Sequence, residues 1–566
     1  MIATSFRLAL AQSNPVLGDV AGNAGLVREA RRRAGQAGAE LVMFPELFLS
    51  GHPPDDLALK SAFQDACRKA CEELARETAD GGPAVLLGLP WLEGGKLYNA
   101  CALLDGGVIQ SVRFKVALAD DDLLDETRSF AAGPLPGPVP FRDRVRLGLP
   151  IGHDLGHEEV VECLAETGAE ILLSPQGSPF RRGAGDERMN ATVARVVESE
   201  LPLVHLNQVG GRGELVFDGA SFVLDDGRNL THQLPAFRET LVMVDWVREA
   251  GRWSCRPGEI AAVETGDEAD YAACVLGLRD HAAKSGRPGI VLGLSGSIDT
   301  ALAAAMAVDA LGPENVTCVL MPSRRTAPQI LAAAQACARA LGARCEILGI
   351  EGAVKAVEAA LSGVVGTGGN VALESSLESH VCGTLLAALA DSLGWVLAVP
   401  AGRSGMVCGD AAHPGEAAGG FNPLRDLYAT ELVRLAALRN RWKPADALGP
   451  DGIVIPDALL AGGQALPPHD VLDAILAAFD RGQRVSEIVA GGHDREAVVA
   501  VERALACPAY RRRRAAPGIR IAARKPNGER FDPIAPGFVD TGEAAYQPDP
   551  ALVRGVGRGG GESFDF

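Results

Sequence analysis

A loop of small and hydroxyl-bearing residues, Ser295-Gly-Ser-Ile-Asp-Thr300, stands between two segments of different periodicity. Residues 289–294 form a short apolar run typical of a buried strand, and residues 299–311 carry apolar residues at helical spacing. A loop in this setting presents successive backbone N–H groups to a phosphate, and the helix dipole favours the negative charge. Ser, Asp and Thr are also common helix N-caps. The loop is therefore a candidate phosphate site, with helix capping as the alternative interpretation.

A second set of candidate residues lies in the first half of the chain. Phe44-Pro-Glu-Leu-Phe48 contains Glu46, Arg113-Phe-Lys-Val116 contains Lys115, and residues 146–155 are typical of a buried strand that ends at an exposed turn. These segments together resemble the carbon-nitrogen hydrolase (nitrilase) family, which hydrolyses amides with a Glu-Lys-Cys triad. The resemblance implies that Glu46 is the base and Lys115 the oxyanion-stabilising residue, with Glu126 as an accessory carboxylate.

The position of the nucleophile in this resemblance is occupied by Gly152, within Ile151-Gly-His-Asp154. Covalent amide hydrolysis needs an attacking atom, normally a thiolate, and glycine has no side chain to supply one. On an extended chain the neighbouring His153 would point to the opposite face. We therefore predict that amide hydrolysis is lost and that Glu46 and Lys115 remain as a buried ion pair.

The loop at 295–300 resembles the pyrophosphate-binding loop of ATP pyrophosphatases, whose pattern is S-G-G-x-D-S. The resemblance implies ATP as cofactor, with Ser295, Gly296, Ser297, Asp299 and Thr300 near its phosphates and Asp299 facing Mg2+. Ser297 replaces the second glycine of the pattern, and Thr300 replaces its final serine.

Further segments occur in the order expected of the glutamine-dependent NAD+ synthetase family, which the chain resembles over about residues 5–540. In that family a glutaminase domain releases ammonia. A second domain uses ATP to adenylate the carboxylate of nicotinic acid adenine dinucleotide, and ammonia displaces AMP to give NAD+. Arg324 lies where the family binds nucleotide. The segments are Pro53-Pro-Asp-Asp-Leu57, Glu214-Leu-Val-Phe-Asp-Gly219, Met321-Pro-Ser-Arg324, Ala418-Gly-Gly-Phe421 and Leu466-Pro-Pro-His-Asp-Val-Leu-Asp473.

The second half also departs from the family pattern. Gly405 stands where the family has a glutamate that binds magnesium, and Mg2+ is usually held by one or two carboxylates together with phosphates. Arg425 and Ala429 replace lysines, and residues 374–380 lack an arginine of the family. Two interpretations stay open. The chain is either a ligase driven by ammonia, free or from a partner, or a catalytically inactive relative that binds a nucleotide or a partner protein.

The elements that must position these residues alternate between strand and helix patterns, which predicts an α/β fold. We predict an N-terminal nitrilase-like αββα sandwich at 1–250, a connector at 251–274 and a flexible tail at 541–566. Between them, residues 275–540 are predicted to form a Rossmann-like parallel-sheet domain of the adenine nucleotide alpha hydrolase type. In the first half the predicted strands are 6–12, 41–45, 84–89, 100–104, 146–151, 171–174 and 203–207, followed by two strands around a turn within 215–224 and a closing strand at 240–246. The predicted helices of this half are 23–37, 58–78, 158–167 and 186–200.

Composition narrows the choice of partners. The chain has 54 basic and 72 acidic residues and a net charge of −18, which disfavours nucleic acid and anionic membranes. Its apolar runs are too short to span a bilayer, its N-terminus has no signal-peptide pattern, and its twelve cysteines show no metal-binding spacing. We therefore expect a cytoplasmic protein that acts on a small nucleotide. The family resemblance adds the expectation of a homo-oligomer.

Overall fold

The structure is a computed structural model that describes residues 4–120, 123–324, 326–365, 371–408, 420–460, 468–506 and 516–522. The strands are β1 Thr4–Gln12, β2 Leu41–Met43, β3 Ala84–Glu93, β4 Lys96–Asp105, β5 Val108–Phe114, β6 Val139–Phe141, β7 Val145–Gly148, β8 Ile171–Gln176, β9 Leu203–Asn207, β10 Val209–Arg212, β11 Leu215–Asp218, β12 Phe222–Leu224, β13 Leu230–Gln233, β14 Thr240–Glu249, β15 Arg252–Cys255, β16 Ile290–Gly293, β17 Val316–Leu320, β18 Arg344–Ile347 and β19 Val396–Leu397.

The helices alternate with these strands along much of the chain. They are α1 Val20–Gln36, α2 Ser61–Glu77, α3 Glu158–Glu166, α4 Ala184–Ser199, α5 Asp267–Lys284, α6 Ile298–Leu311, α7 Pro328–Leu341, α8 Glu351–Val365, α9 Val371–Leu393, α10 Arg403–Cys408, α11 Ala429–Arg439, α12 Asp457–Leu460, α13 His469–Asp480, α14 Val485–Ala490 and α15 Arg495–Ala506. None of the helices in the described ranges is long and apolar enough to cross a membrane.

The first half of the chain forms two packed sheets. One has seven strands in the order β15-β14-β1-β2-β3-β4-β5, and the other has six in the order β13-β12-β9-β8-β7-β6. Each sheet mixes parallel strands at its centre with antiparallel strands at its margins. In the first sheet β1 pairs parallel with β2 and antiparallel with β14. In the second sheet β8 pairs parallel with both β7 and β9.

Alternation of side chains along the strands builds the layers of this sandwich. Leu8 and Leu10 of β1 enter the core between the two sheets, whereas Ala9 and Ala11 face the core under α1 and α2. This is the period of two that a pleated strand imposes. On the far side, α3 and α4 contribute to a third cluster that covers the six-stranded sheet. The αββα sandwich predicted from the sequence is confirmed.

The second half is built on a parallel sheet of four strands in the order β18-β17-β16-β19. The helix α6, which follows the central strand β16, is buried on nearly all sides. An apolar surface all round a helix indicates such a position. Asp309, a fully buried residue of α6, accepts hydrogen bonds from Tyr271 Oη and Arg439 Nε at 2.6 Å each. The Rossmann-like parallel sheet is likewise confirmed.

The two halves meet along the hairpin of β10 and β11, which packs against α5. The backbone N–H of Gly211 donates to Asp280 Oδ2 of α5 at 2.7 Å, and Cα of Gly277 would lie 2.9 Å from a Cβ at Gly211. Arg182 adds ion pairs from the first half to Asp270 and Glu431 of the second, at 2.6 and 2.8 Å. The hairpin and this arginine therefore join the two halves of the chain.

The structure contains elements that the sequence analysis did not predict. Strand β15 and the first turns of α5 lie within the predicted connector, 251–274. Gly, Pro and charged residues interrupt the apolar pattern there. Strands β5, β6, β10 and β13 were not predicted. The predicted tail at 541–566 lies outside the described residues, as do residues 418–419 and 466–467 of the quoted segments.

Candidate functional site

The three N-terminal candidates lie just past the ends of strands from both sheets. Glu46 follows β2 and Lys115 directly follows β5, both of the seven-stranded sheet, while Gly152 follows β7 of the six-stranded sheet. Gly152 begins a single 3-10 turn, Gly152–Gly156. The sandwich thus brings together residues that are more than a hundred positions apart in sequence.

Lys115 occupies the centre of a fully buried polar cluster. Its Nζ lies 2.7 Å from Glu46 Oε1 and 2.6 Å from Glu126 Oε2. Asn99 Nδ2 bridges the same two carboxylates, donating to Glu46 Oε1 and to Glu126 Oε1 at 2.7 Å each. The backbone N–H of Ala119 also donates to Glu126, at 2.8 Å. The structure thus confirms the buried ion pair predicted from the sequence and adds Asn99, for which the sequence offers no signal.

Electrostatics in this cluster keep the ions charged. Burial by itself raises the pKa of the Glu46 carboxyl, but the charge of Lys115 and hydrogen bonds from Lys115 and Asn99 outweigh it, so that pKa lies below its usual value. Burial lowers the pKa of Lys115, yet the two carboxylates raise it above the ordinary value for lysine. Glu46 is therefore an anion and Lys115 a cation at neutral pH.

Gly152 has a backbone φ of +52°, in the left-handed region that favours glycine. A Cβ built there would lie 2.4 Å from Glu46 Oε2 and 2.6 Å from Glu46 Oε1. The Glu46 carboxylate therefore fills the space in front of Gly152 into which a side chain would project. The carbonyl of Gly152 accepts a hydrogen bond from Gln176 Nε2 at 3.0 Å, which holds the turn against β8.

The carboxylate of Asp154 holds the turn through hydrogen bonds to backbone N–H groups. One of its carboxylate oxygens accepts from the backbone N–H groups of Val116 and Ala117 at 2.9 and 2.7 Å, and the other accepts from Ile151 at 3.1 Å. Burial raises the pKa of Asp154 to about 6, against the opposing effect of these bonds. Asp154 thus ties the turn to the segment that carries Lys115. His153, in the same turn, is exposed.

A shallow pocket reaches the cluster from the surface. His52, Asp55, Glu126, Ser129 and Phe130 are among its lining residues. Burial lowers the pKa of His52 to about 4, so its ring is neutral at physiological pH. The pocket offers a carboxylate, a neutral imidazole and apolar walls.

In the part of the chain that the structure describes, no cysteine thiol lines this pocket. Cys101 has Glu46 among its electrostatic neighbours, but burial raises its pKa far above that of a free thiol. Cys163 lies on α3 and directs its thiol to the carbonyl of Pro136 at 3.6 Å. The carboxylate and the imidazole can hydrogen-bond a polar group and exchange a proton with it. In the described ranges, however, no thiolate lies beside Gly152.

The loop 295–300 lies where β16 passes into α6, as predicted. Gly296 adopts a φ of +90°, where a Cβ would come within 2.5 Å of Ile330 Cγ2. Ser297 is the N-cap of α6, and its hydroxyl accepts from the N–H of Thr300 at 3.4 Å. The hydroxyls of Ser295, Ser297 and Thr300 lie 3.3–3.4 Å from one another. Capping, the alternative interpretation, is therefore present, in a loop that also displays hydroxyl groups at a helix N-terminus.

Asp299 lies in the first turn of α6. Its Oδ2 accepts from the N–H of Gly402 at 3.5 Å, and burial raises its pKa. This long contact leaves acceptor capacity for a cation, although no cluster of three potential metal-ligating residues occurs in the described ranges. Gly405, in α10, offers no carboxylate near this end of the sheet.

Arg324 forms an ion pair at the surface. Its side chain is largely exposed, and Nε pairs with Glu351 Oε1 at the start of α8, at 3.2 Å. The structure brings Ser295, Gly296, Ser297, Asp299 and Thr300 together in one loop, whereas the contact described for Arg324 is a surface ion pair.

Comparisons with known proteins agree with this architecture. The NAD synthase family matches residues 271–515, and the carbon-nitrogen hydrolase family matches residues 7–253. The chain is 42% identical to the glutamine-dependent NAD(+) synthetase of Rhodobacter capsulatus, over 92% of this chain and 96% of that protein. It is 36% identical to the enzyme of the same name from Xanthomonas campestris, over 95% and 98%.

A solved structure supports the same relationship. The glutamine-dependent NAD+ synthetase of Acinetobacter baumannii in complex with ADP is 30% identical, with a TM-score of 0.75, over 95% of this chain and 100% of that one. Two domains of the expected kinds, in the expected order, extend over nearly the full length of these relatives. The chain belongs to the glutamine-dependent NAD+ synthetase family.

Proposed function

We propose that this chain is an NAD+ synthetase-type ligase that no longer hydrolyses glutamine and is at most ammonia-dependent. The observation that carries the proposal is the Gly152 turn. Gly152 itself carries no thiol, and the Glu46 carboxylate fills the space that a side chain would need. Without a nucleophile, the buried cluster around Lys115 cannot form a covalent acyl intermediate.

The C-terminal loop supports a role in nucleotide binding. In the proposed reaction, the backbone N–H groups of 295–300 and the N-terminus of α6 bind the phosphates of ATP. Asp299, with one long hydrogen bond in the structure, would contact the Mg2+ that accompanies the triphosphate. The carboxylate of nicotinic acid adenine dinucleotide would then attack the α-phosphorus of ATP and release pyrophosphate, and ammonia would displace AMP from the resulting adenylate to give NAD+. Arg324 would have to leave Glu351 to reach a nucleotide.

A second candidate function is that of a catalytically inactive relative with a regulatory or structural role. Two observations favour it. Gly405 lacks the carboxylate that would share the metal with Asp299, and the Ser297 hydroxyl already accepts from the Thr300 N–H that a phosphate would use. Each of these two features would weaken binding of the transition state by a few kcal/mol. Ground-state binding of ATP depends less on the protein's metal ligands, because the triphosphate carries its own Mg2+.

Three measurements separate these candidates. Glutamate release from glutamine should be absent, and appreciable release would overturn the loss of glutaminase activity. Calorimetry should detect weak binding of ATP with Mg2+. An ammonia-driven assay should then yield slow NAD+ formation. Binding without any product would favour the inactive relative, and turnover at ordinary enzyme rates would show that Gly405 and Ser297 matter little.

We also propose, from the family resemblance, that the chain forms a homo-oligomer in the cytoplasm and that a partner enzyme can supply its ammonia. Light scattering at micromolar concentration should give a mass above the 58.9 kDa of one chain. A monomer mass would contradict the oligomer.

A further inference from the structure

Three buried side chains near the junction of the two halves have polar atoms without partners in the described part of the chain. They are both ring nitrogens of His52, both amide atoms of Gln208, and Nε and Nη2 of Arg212. The exposed fractions of these residues are 0%, 0% and 7%. Buried polar groups are nearly always hydrogen-bonded in native proteins, so three such residues together require a physical explanation.

These side chains belong to one neighbourhood. A Cβ built on Gly177 would lie 2.7 Å from His52 Nε2 and 3.0 Å from Gln208 Nε2, so the absence of a side chain there lets the two approach. Arg212 Nη1 donates to the carbonyl oxygen of His52. The guanidinium of Arg212 and the ring of His52 both lie against Phe217, with separations of 5.2 and 5.9 Å from its ring centroid.

Among the described residues, no carboxylate forms an ion pair with the guanidinium of Arg212. Asp280 is its electrostatic neighbour, but that carboxylate is engaged by Asn14 Nδ2 at 2.7 Å, by the N–H of Gly211 at 2.7 Å and by Lys284 at 3.1 Å. Burial lowers the pKa of Arg212 to about 9. A guanidinium in this position is costly unless an anion compensates it.

The free atoms of Arg212 have a definite geometry. Nε and Nη2 lie on the same edge of the guanidinium, and their N–H groups point in parallel toward one side. That edge matches the two oxygens of a carboxylate. Gln208 adds an amide donor and His52 a neutral ring N–H. Of the three residues, His52 also lines the pocket that opens at Asp55 and Ser129, so the group lies next to a pocket on the surface.

We propose that Arg212, Gln208 and His52 form a buried binding site for a small monovalent carboxylate. Its residues are distinct from the Glu46–Lys115–Glu126 cluster, whose charges are paired with one another, although His52 and Glu126 line the same pocket. Arg212 is the last residue of β10, the strand that packs against α5 of the second half. A bound carboxylate would neutralise the guanidinium at this junction and stabilise the contact between the two halves.

The test uses the full chain, sodium formate as the probe and sodium benzoate at equal concentration as the control for size and ionic strength. The thermal midpoint of the natural chain should rise saturably with formate by a few degrees and should not respond to benzoate. In Arg212→Met the response should vanish. The midpoint of this variant in carboxylate-free buffer should lie above that of the natural chain, because an uncompensated buried charge has been removed.

Arg188→Met is the matched control. Arg188 also lies in the first half, with a side chain only 10% exposed, but it forms two hydrogen bonds with the carboxylate of Asp218. Its substitution should lower the midpoint and leave the response to formate intact. If Arg212→Met does not fold, Gln208→Met and calorimetric titration of the natural chain with formate replace it. A natural chain that does not respond to formate, or a response that survives without Arg212, would overturn the proposal.

Discussion

The contact between Gly152 and Glu46 leads to a quantitative prediction about stability. A methyl group introduced by Gly152→Ala would be built 2.4 Å from Glu46 Oε2, much closer than van der Waals contact permits. Glu46 cannot give way cheaply, because Lys115 and Asn99 hold its Oε1 at 2.7 Å each. The variant must therefore displace a buried, paired carboxylate.

The expected cost has two parts. A non-glycine residue at a φ of +52° costs about 1 kcal/mol in backbone strain. Separating one partner of a buried ion pair costs about 3–5 kcal/mol. We therefore expect Gly152→Ala to lower the free energy of unfolding by about 4–6 kcal/mol, the sum of these two contributions.

Gly213 provides the matched control within the same domain. Its φ is +56°, and a Cβ there would meet no atom within 4 Å. Gly213→Ala should therefore cost only the backbone strain, about 1 kcal/mol. Urea denaturation of both variants measures the difference. In a Glu46→Ala background the obstructing carboxylate is gone, and the cost of Gly152→Ala should fall to that of Gly213→Ala.

Equal costs for Gly152→Ala and Gly213→Ala in the natural background would refute this reasoning. They would mean that the Glu46 carboxylate leaves the space in front of Gly152 without losing stability. In that case a Gly152→Cys variant would also place its thiol without strain, and recovery of glutaminase activity would follow directly. Large destabilisation of Gly152→Ala that persists without Glu46 would assign the cost to the turn itself.

Three further predictions concern other parts of the molecule. Arg439→Ala should lower the free energy of unfolding by about 3–5 kcal/mol in urea denaturation, because it leaves the fully buried Asp309 without its cation; a cost near zero would contradict this. Burial lowers the pKa of His205 to about 3. Between about pH 6.5 and 3 the unfolded chain therefore binds a proton at His205 that the folded chain does not bind, and the free energy of unfolding should decrease as the pH falls through this range. His205→Phe should flatten that slope by about 1.4 kcal/mol per pH unit, and an unchanged slope would assign it to other groups. Asp299→Asn should reduce ammonia-driven NAD+ formation far more than it weakens calorimetric ATP binding, and equal losses would place Asp299 in ground-state binding instead.

The sequence alone predicted most of the strands and helices and indicated the candidate site residues. Period-two and helical patterns located the main strands and helices, because burial on one face imposes that spacing on residues close in the chain. The motifs around Glu46, Lys115 and Ser295–Thr300 indicated both candidate sites, and the absence of a side chain at Gly152 needs no structure to be recognised. Edge strands such as β6 and β13 escaped prediction, because short strands at sheet margins carry too few residues to show a period.

Only the tertiary structure decided which distant residues share an environment. Asn99 bridges Glu46 and Glu126, and the Glu46 carboxylate fills the space at Gly152, through contacts between strand ends that no local pattern encodes. The unpaired edge of Arg212 is another such outcome, since whether a charge finds a partner depends on the packing of two domains. Sequence patterns report what each segment prefers by itself, whereas pairing, burial and pKa depend on neighbours brought together by the fold.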